Sequence, residues 1–178
     1  MTALEAAISD HPASSASAGN GGGAARALAL GSELIEAHES LRQSLRGLRT
    51  GLGAPDRAAA KTDRSLRTHC VAFCSAVARH HTSEDRDVFP ALAAQVPELG
   101  PVLAELQHDH HLVAGILRRV EQLAGDSGPD DAHRVRAELD GLAAILESHF
   151  RWEERRLVTA LNTLDTSGLT TQDLFGRA

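Results

Sequence analysis

The chain is poor in aromatic residues: phenylalanine and tryptophan make up only 3% of its 178 residues, and tyrosine is absent. Strands favour β-branched and aromatic side chains, whereas the alanine and leucine that dominate here are among the best helix formers, so the shortage argues against a sheet protein. Cysteine is scarce too. Cys70 and Cys74 sit one helical turn apart, where a disulfide is awkward, and two thiols alone make a poor zinc site, so small buried thiols are expected. No apolar run approaches the length of a membrane span, and the N-terminus lacks a basic segment followed by an apolar one; the expectation is a cytoplasmic protein with no membrane partner. An excess of basic charge is also missing. The net charge of −6 argues against nucleic acid as a partner.

What remains is one domain of 18.9 kDa with ten histidines. Residues 1–23, rich in Ala, Ser and Gly and ending Gly-Asn-Gly-Gly-Gly, read as a flexible N-terminal arm. Residues 24–164 hold four amphipathic stretches. The first, about Ala24 to Arg49, carries Ala27, Leu30, Leu34, Leu41, Leu45 and Leu48 on one stripe. The second starts late, between Asp56 and Thr62, after the break at Gly51-Leu52-Gly53-Ala54-Pro55, and runs through Pro90 or a little beyond, with Pro90 kinking its end. The third restarts at Val96-Pro97-Glu98 and carries Leu99, Leu103, Leu106, Val113, Leu117 and Val120. The fourth runs from Asp130 or Asp131 to about Leu164, and residues 165–178 form a tail in which Leu169, Leu174 and Phe175 fold back over one end. The pattern predicts an all-α, antiparallel, up-down-up-down four-helix bundle.

Several polar residues fall on the apolar stripes. At roughly 100° per residue, Leu66, Cys70, Phe73, Val77 and Val88 define a line with Glu84 near its centre and His80 at its edge. Asp85 is rotated about 100° away from Glu84. In the fourth stretch, His149 and Glu153 lie within the stripe of Leu139, Leu142, Leu146, Leu157, Ala160 and Leu164, while Glu154 reads as solvated. His38 stands between Leu34 and Leu41, and His110 alone of its histidine-rich run lies in the middle of the Leu106, Val113 and Leu117 stripe.

His69, His81, His111, His133 and His11 read as structural or solvated. His80, His110 and His149 lie at matching distances from the turns that join their helices. His38 is offset by roughly 15 Å at 1.5 Å per residue, which the late start of the second helix largely absorbs; the alternative is that His69 reaches His38. Buried carboxylates are expensive unless paired or bound to metal. His38, His80, Glu84, His110, His149 and Glu153 therefore make a candidate dinuclear site, with nitrogen and oxygen donors and no thiolate, suited to iron or manganese. On this reading Glu84→Ala or Glu153→Ala sharply lowers metal occupancy, whereas Asp85→Ala and Glu154→Ala do not.

The pattern resembles the hemerythrin-like, HHE cation-binding family over about residues 27–164. His38, His80-x-x-x-Glu84 running into Val88-Phe89-Pro90, Asp109-His110, and His149-x-x-x-Glu153-Glu154 carry the resemblance. It implies two iron ions bridged by the two glutamates and by a solvent-derived oxo or hydroxo group, reacting with O₂, H₂O₂ or NO. Oxygen-carrying members have a second histidine four residues after the one matching His110, and that position is Ala114 here. Four histidines in place of five point away from reversible oxygen carriage and toward bacterial members that handle peroxide, nitric oxide or iron. The implied function is binding or consumption of O₂ or peroxide, with catalase-like turnover as its enzymatic form. The alternative is a non-catalytic sensor or store of O₂, nitric oxide or iron.

Overall fold

The computed structural model describes residues 21–51, 59–125 and 131–165, and the N-terminal arm, the first interhelical connection and most of the C-terminal tail lie outside these. The described residues are almost wholly helical. Helix α1 spans Gly21–Gly51, α2 Ala59–Ser83, α3 Phe89–Gln95, α4 Gly100–Gly125 and α5 Asp131–Leu161. The start of α2 at Ala59 falls within the expected interval, and α1 begins three residues earlier than its apolar stripe suggested.

Between α2 and α3 the helix widens instead of stopping. Residues Glu84–Val88 form a π-helical turn in which the Phe89 amide reaches back five residues to the Glu84 carbonyl. Pro90 supplies the reason: it has no amide hydrogen, and its ring crowds the carbonyl of Arg86 four residues back. The widened turn accommodates that carbonyl and lets α3 continue to Gln95. Val96 then leaves the helix at φ −133° and ψ 73°, because the residue before a proline is disfavoured in the α region. A 3₁₀ turn at Pro97–Leu99 leads into α4.

Contacts between helices fix their relative directions. Along α1, Arg42 pairs with Glu147 and Arg49 with Asp140 of α5. Increasing numbers on one helix meet decreasing numbers on the other, so the two run antiparallel. Arg119 with Glu138 and Asp109 with His149 show the same for α4 and α5. Gly31 permits the close approach of α1 to the end of α5: a Cβ there would collide with the Asn162 side chain and lie 3.0 Å from Val158 Cγ1.

The interior has three layers along the bundle. One apolar cluster contains Leu41, Leu45, Cys70, Phe73, Val77, Val113, Leu117, Leu139, Leu142 and Leu146. A second contains Leu30, Leu34, Val88, Phe89, Leu92, Leu106, Leu157 and Leu161. Each fully buried leucine or phenylalanine contributes about 1.5–3 kcal/mol relative to exposure. Between them lies a belt of buried His and Glu side chains.

Candidate metal centre

Every helix that crosses the belt changes from apolar to polar and back. His38 lies between Leu34 and Leu41 on α1, and His110 between Leu106 and Val113 on α4. His149 and Glu153 lie between Leu146 and Leu157 on α5, while His80, His81 and Glu84 lie between Val77 and Val88. Since the flanking residues belong to opposite clusters, the periodicity of each helix brings its polar residues to one depth.

The six residues singled out from the sequence come together, and a seventh joins them. His38, His80, Glu84 and Glu153 form one group whose donor atoms all lie within 4.8 Å of one another; His81, His110 and His149 form another. The carboxylates connect the groups. Glu84 Oε1 is 3.2 Å from His80 Nε2, and its Oε2 is 3.6 Å from His110 Nε2. Glu153 Oε2 is 3.4 Å from His38 Nε2 and 3.5 Å from His149 Nε2.

His81 corrects the sequence reading, which left it structural or solvated. It is buried, its ring stacked on His110 with centroids 4.0 Å apart. The signal was present: at about 100° per residue His80 and His81 flank the α2 stripe, each roughly 50° from its middle. His81 also brings the imidazoles to five. The fifth comes from α2 instead of from the position of Ala114, which lines a 210 Å³ cavity beside His81 and His110. A count of four buried histidines, which pointed away from reversible oxygen carriage, therefore does not describe the belt. His69 is exposed, and the ring that meets His38 is His80, at 4.9 Å between centroids. His108, His111 and His133 are exposed, and His11 lies outside the described residues.

Glu154 and Asp85 require a second correction. Both were placed off the stripe and away from the site. Glu154 Oε1 instead accepts a hydrogen bond from His38 Nδ1 at 2.8 Å and one from Arg42 at 3.0 Å. Asp85 Oδ1 accepts one from His110 Nδ1 at 2.8 Å. A wheel drawn for one helix does not register a neighbouring helix that supplies the partner.

The belt is not satisfied by the polypeptide alone. Among the described residues, twelve buried side-chain nitrogen and oxygen atoms have no hydrogen-bond partner, and eleven belong to these seven residues. An unpaired buried polar group costs about 1–3 kcal/mol, so such a concentration fits a site built for cations. Titration behaviour points the same way. Burial, reinforced by neighbouring imidazoles, holds His80 and His81 well below the usual imidazole range; burial also lowers His149.

His38 is the exception. Burial opposes its charge, but the contacts with Glu153 and Glu154 outweigh that and raise it. Burial next to Glu153 pushes Glu84 well above the usual carboxylate range, whereas Glu153, despite the same burial, is held down to about 2 by His38. Neutral imidazole is the ligating form, and a cation would favour both carboxylates ionised. The donor set contains no thiolate: Cys70 and Cys74 are free and buried in the apolar cluster.

A helical bundle with a buried His/Glu belt defines a class of protein built to hold metal ions in its core. The chain matches the hemerythrin HHE cation binding domain over residues 30–161, which spans every residue of the belt, and it belongs to that family. No curated protein and no solved structure matches it. No helix among the described residues is long and apolar enough to cross a membrane.

Proposed function

We propose that the protein is an up-down-up-down four-helix bundle of the hemerythrin type holding a di-iron centre that binds or reacts with O₂, H₂O₂ or NO. His38 and His80 would hold one iron, and His81, His110 and His149 the other. Glu84 and Glu153 would be within reach of both. The observation that carries this reading is the placement of the two carboxylates, each within 3.6 Å of imidazole nitrogens from both groups. Bound there, an iron pair supplies a Lewis-acidic redox centre for small oxidants.

The polypeptide's part is to neutralise, orient and exclude. Two carboxylates offset much of the cations' charge in a low-dielectric belt, and five imidazoles keep the donors fixed. The group of His38 and His80 offers one imidazole fewer, so an exogenous molecule would have more room there. The apolar clusters on either side exclude bulk water and larger reactants.

Anaerobic loading with Fe(II), followed by air, metal analysis and near-ultraviolet absorption, tests the reading. Two iron ions per chain with a ligand-to-metal charge-transfer band that responds to azide are expected, and Glu153→Ala should lose both. A folded chain that takes up no iron overturns it. Peroxide disproportionation by the loaded protein then separates turnover from binding: its absence, with spectra that still respond to O₂ or nitric oxide, favours the sensing or storage form.

A further inference from the structure

The buried imidazoles differ in what holds their outer edge. His38 keeps Nε2 3.4 Å from Glu153 Oε2 and donates from Nδ1 to Glu154 Oε1 at 2.8 Å. Its face lies on Phe150, with ring centroids 4.0 Å apart and planes inclined by 14°. Glu154 is fixed in turn by Arg42 Nη1 at 3.0 Å. Arg42 also donates from Nε to Glu147 at 2.8 Å and places its guanidinium carbon 5.3 Å from the centroid of Phe150. His38 is thus clamped at one edge and one face.

His110 repeats the arrangement on the other group. Its Nδ1 donates to Asp85 at 2.8 Å, its Nε2 faces Glu84 Oε2 at 3.6 Å, and its ring stacks between His81 and Phe89. Asp85 lies in the π-helical turn next to Glu84, and because consecutive residues of a helix point in different directions, Glu84 enters the belt while Asp85 reaches across to α4. His80 differs, since neither of its nitrogens has a hydrogen-bond partner. The Nδ1 of His149 is 3.6 Å from Asp109, too far for a direct bond.

A carboxylate that accepts the Nδ1 hydrogen selects one tautomer, leaves the lone pair on Nε2, sets the plane of the ring and raises its strength as a donor. We propose that Glu154 and Asp85 are positioning residues: each holds one imidazole, His38 in the first group and His110 in the second, with Nε2 committed to the cation. This rests on the metal reading above. It also makes the groups internally unequal, with His38 the preset donor of its pair and His80 held by packing without a hydrogen-bonded carboxylate.

The Glu154–Arg42–Glu147 chain also ties α1 to α5, so a purely structural role has to be separated from a positioning one. The experiment titrates the metal-free full-length protein with Co(II), reading visible d–d absorption, and melts the metal-free protein in parallel. Glu154→Leu and Asp85→Leu should each weaken cobalt binding about 10–100-fold and shift the absorption band. Glu154→Gln retains an oxygen that accepts the same hydrogen, and it should recover most of the affinity and the original band.

Affinity and band position unchanged in both leucine variants, whatever happens to the melting temperature, would overturn the proposal. Equal losses for Gln and Leu would overturn it too, because charge and not orientation would then be responsible. Should the leucine variants fail to fold, Arg42→Met decides through the same titration, since it frees Glu154 while leaving it in place: a weakened, shifted site supports the assignment and an unchanged one defeats it. A wild-type chain that takes up no cobalt removes the metal reading itself.

Discussion

The belt and the apolar cluster beside it are built on the same helices, one or two turns apart, yet they solve opposite problems. Around Leu142, every buried group is content to be out of water, and the two buried thiols are pushed up to about 11 for Cys70 and about 12 for Cys74 mainly by burial. Around Glu84, groups that prefer water are buried with partners missing. The cluster stabilises the fold so that the belt can be unstable without metal. This division is common at functional sites, where local rules are broken against a consistent background.

The comparison is broken most sharply by exchanging the properties of the layers. Leu142→Ala, at a fully buried position of the apolar cluster, should cost about 2–5 kcal/mol in urea unfolding while the folded fraction still takes up iron. Glu84→Leu should do the reverse: iron uptake is lost, and the metal-free protein gains about 1–3 kcal/mol, because an unsatisfied buried acid is replaced by an apolar side chain. A Glu84→Leu protein as destabilised as Leu142→Ala would show that the belt is a structural network.

The smallest effect concerns the thiols, whose reactive form is the thiolate. With the folded-state values near 11 and 12, alkylation of the native protein should stay slow from pH 7 to 9, and unfolding in urea should accelerate it many-fold. Rapid labelling of Cys70 or Cys74 in the folded chain would mean that this layer opens to solvent.

How far a single chain can be read depended on whether the relevant geometry was local. Six belt residues were visible because a histidine or glutamate at a leucine position disturbs a 3.6-residue period that needs no knowledge of the neighbours. His81 was equally legible, because its angle on the wheel is as good as that of His80, on the opposite edge of the same stripe. Glu154 and Asp85 were not legible in this way: each points off its own helix's stripe and is claimed by an imidazole of another helix. Pro90 was recognised as a disturbance, but a kinked end was expected where the chain forms a widened turn and continues.

The sequence by itself determined the helices, their apolar faces and which polar side chains each helix turns inward, because these follow from the fixed rotation per residue along an α-helix. The tertiary structure alone decided that the carboxylates stand between two imidazole groups and that Arg42, Glu154 and Asp85 brace the belt from outside. Such relations are distances between helices. They depend on how the layers pack, and no period along a single strand of sequence encodes them.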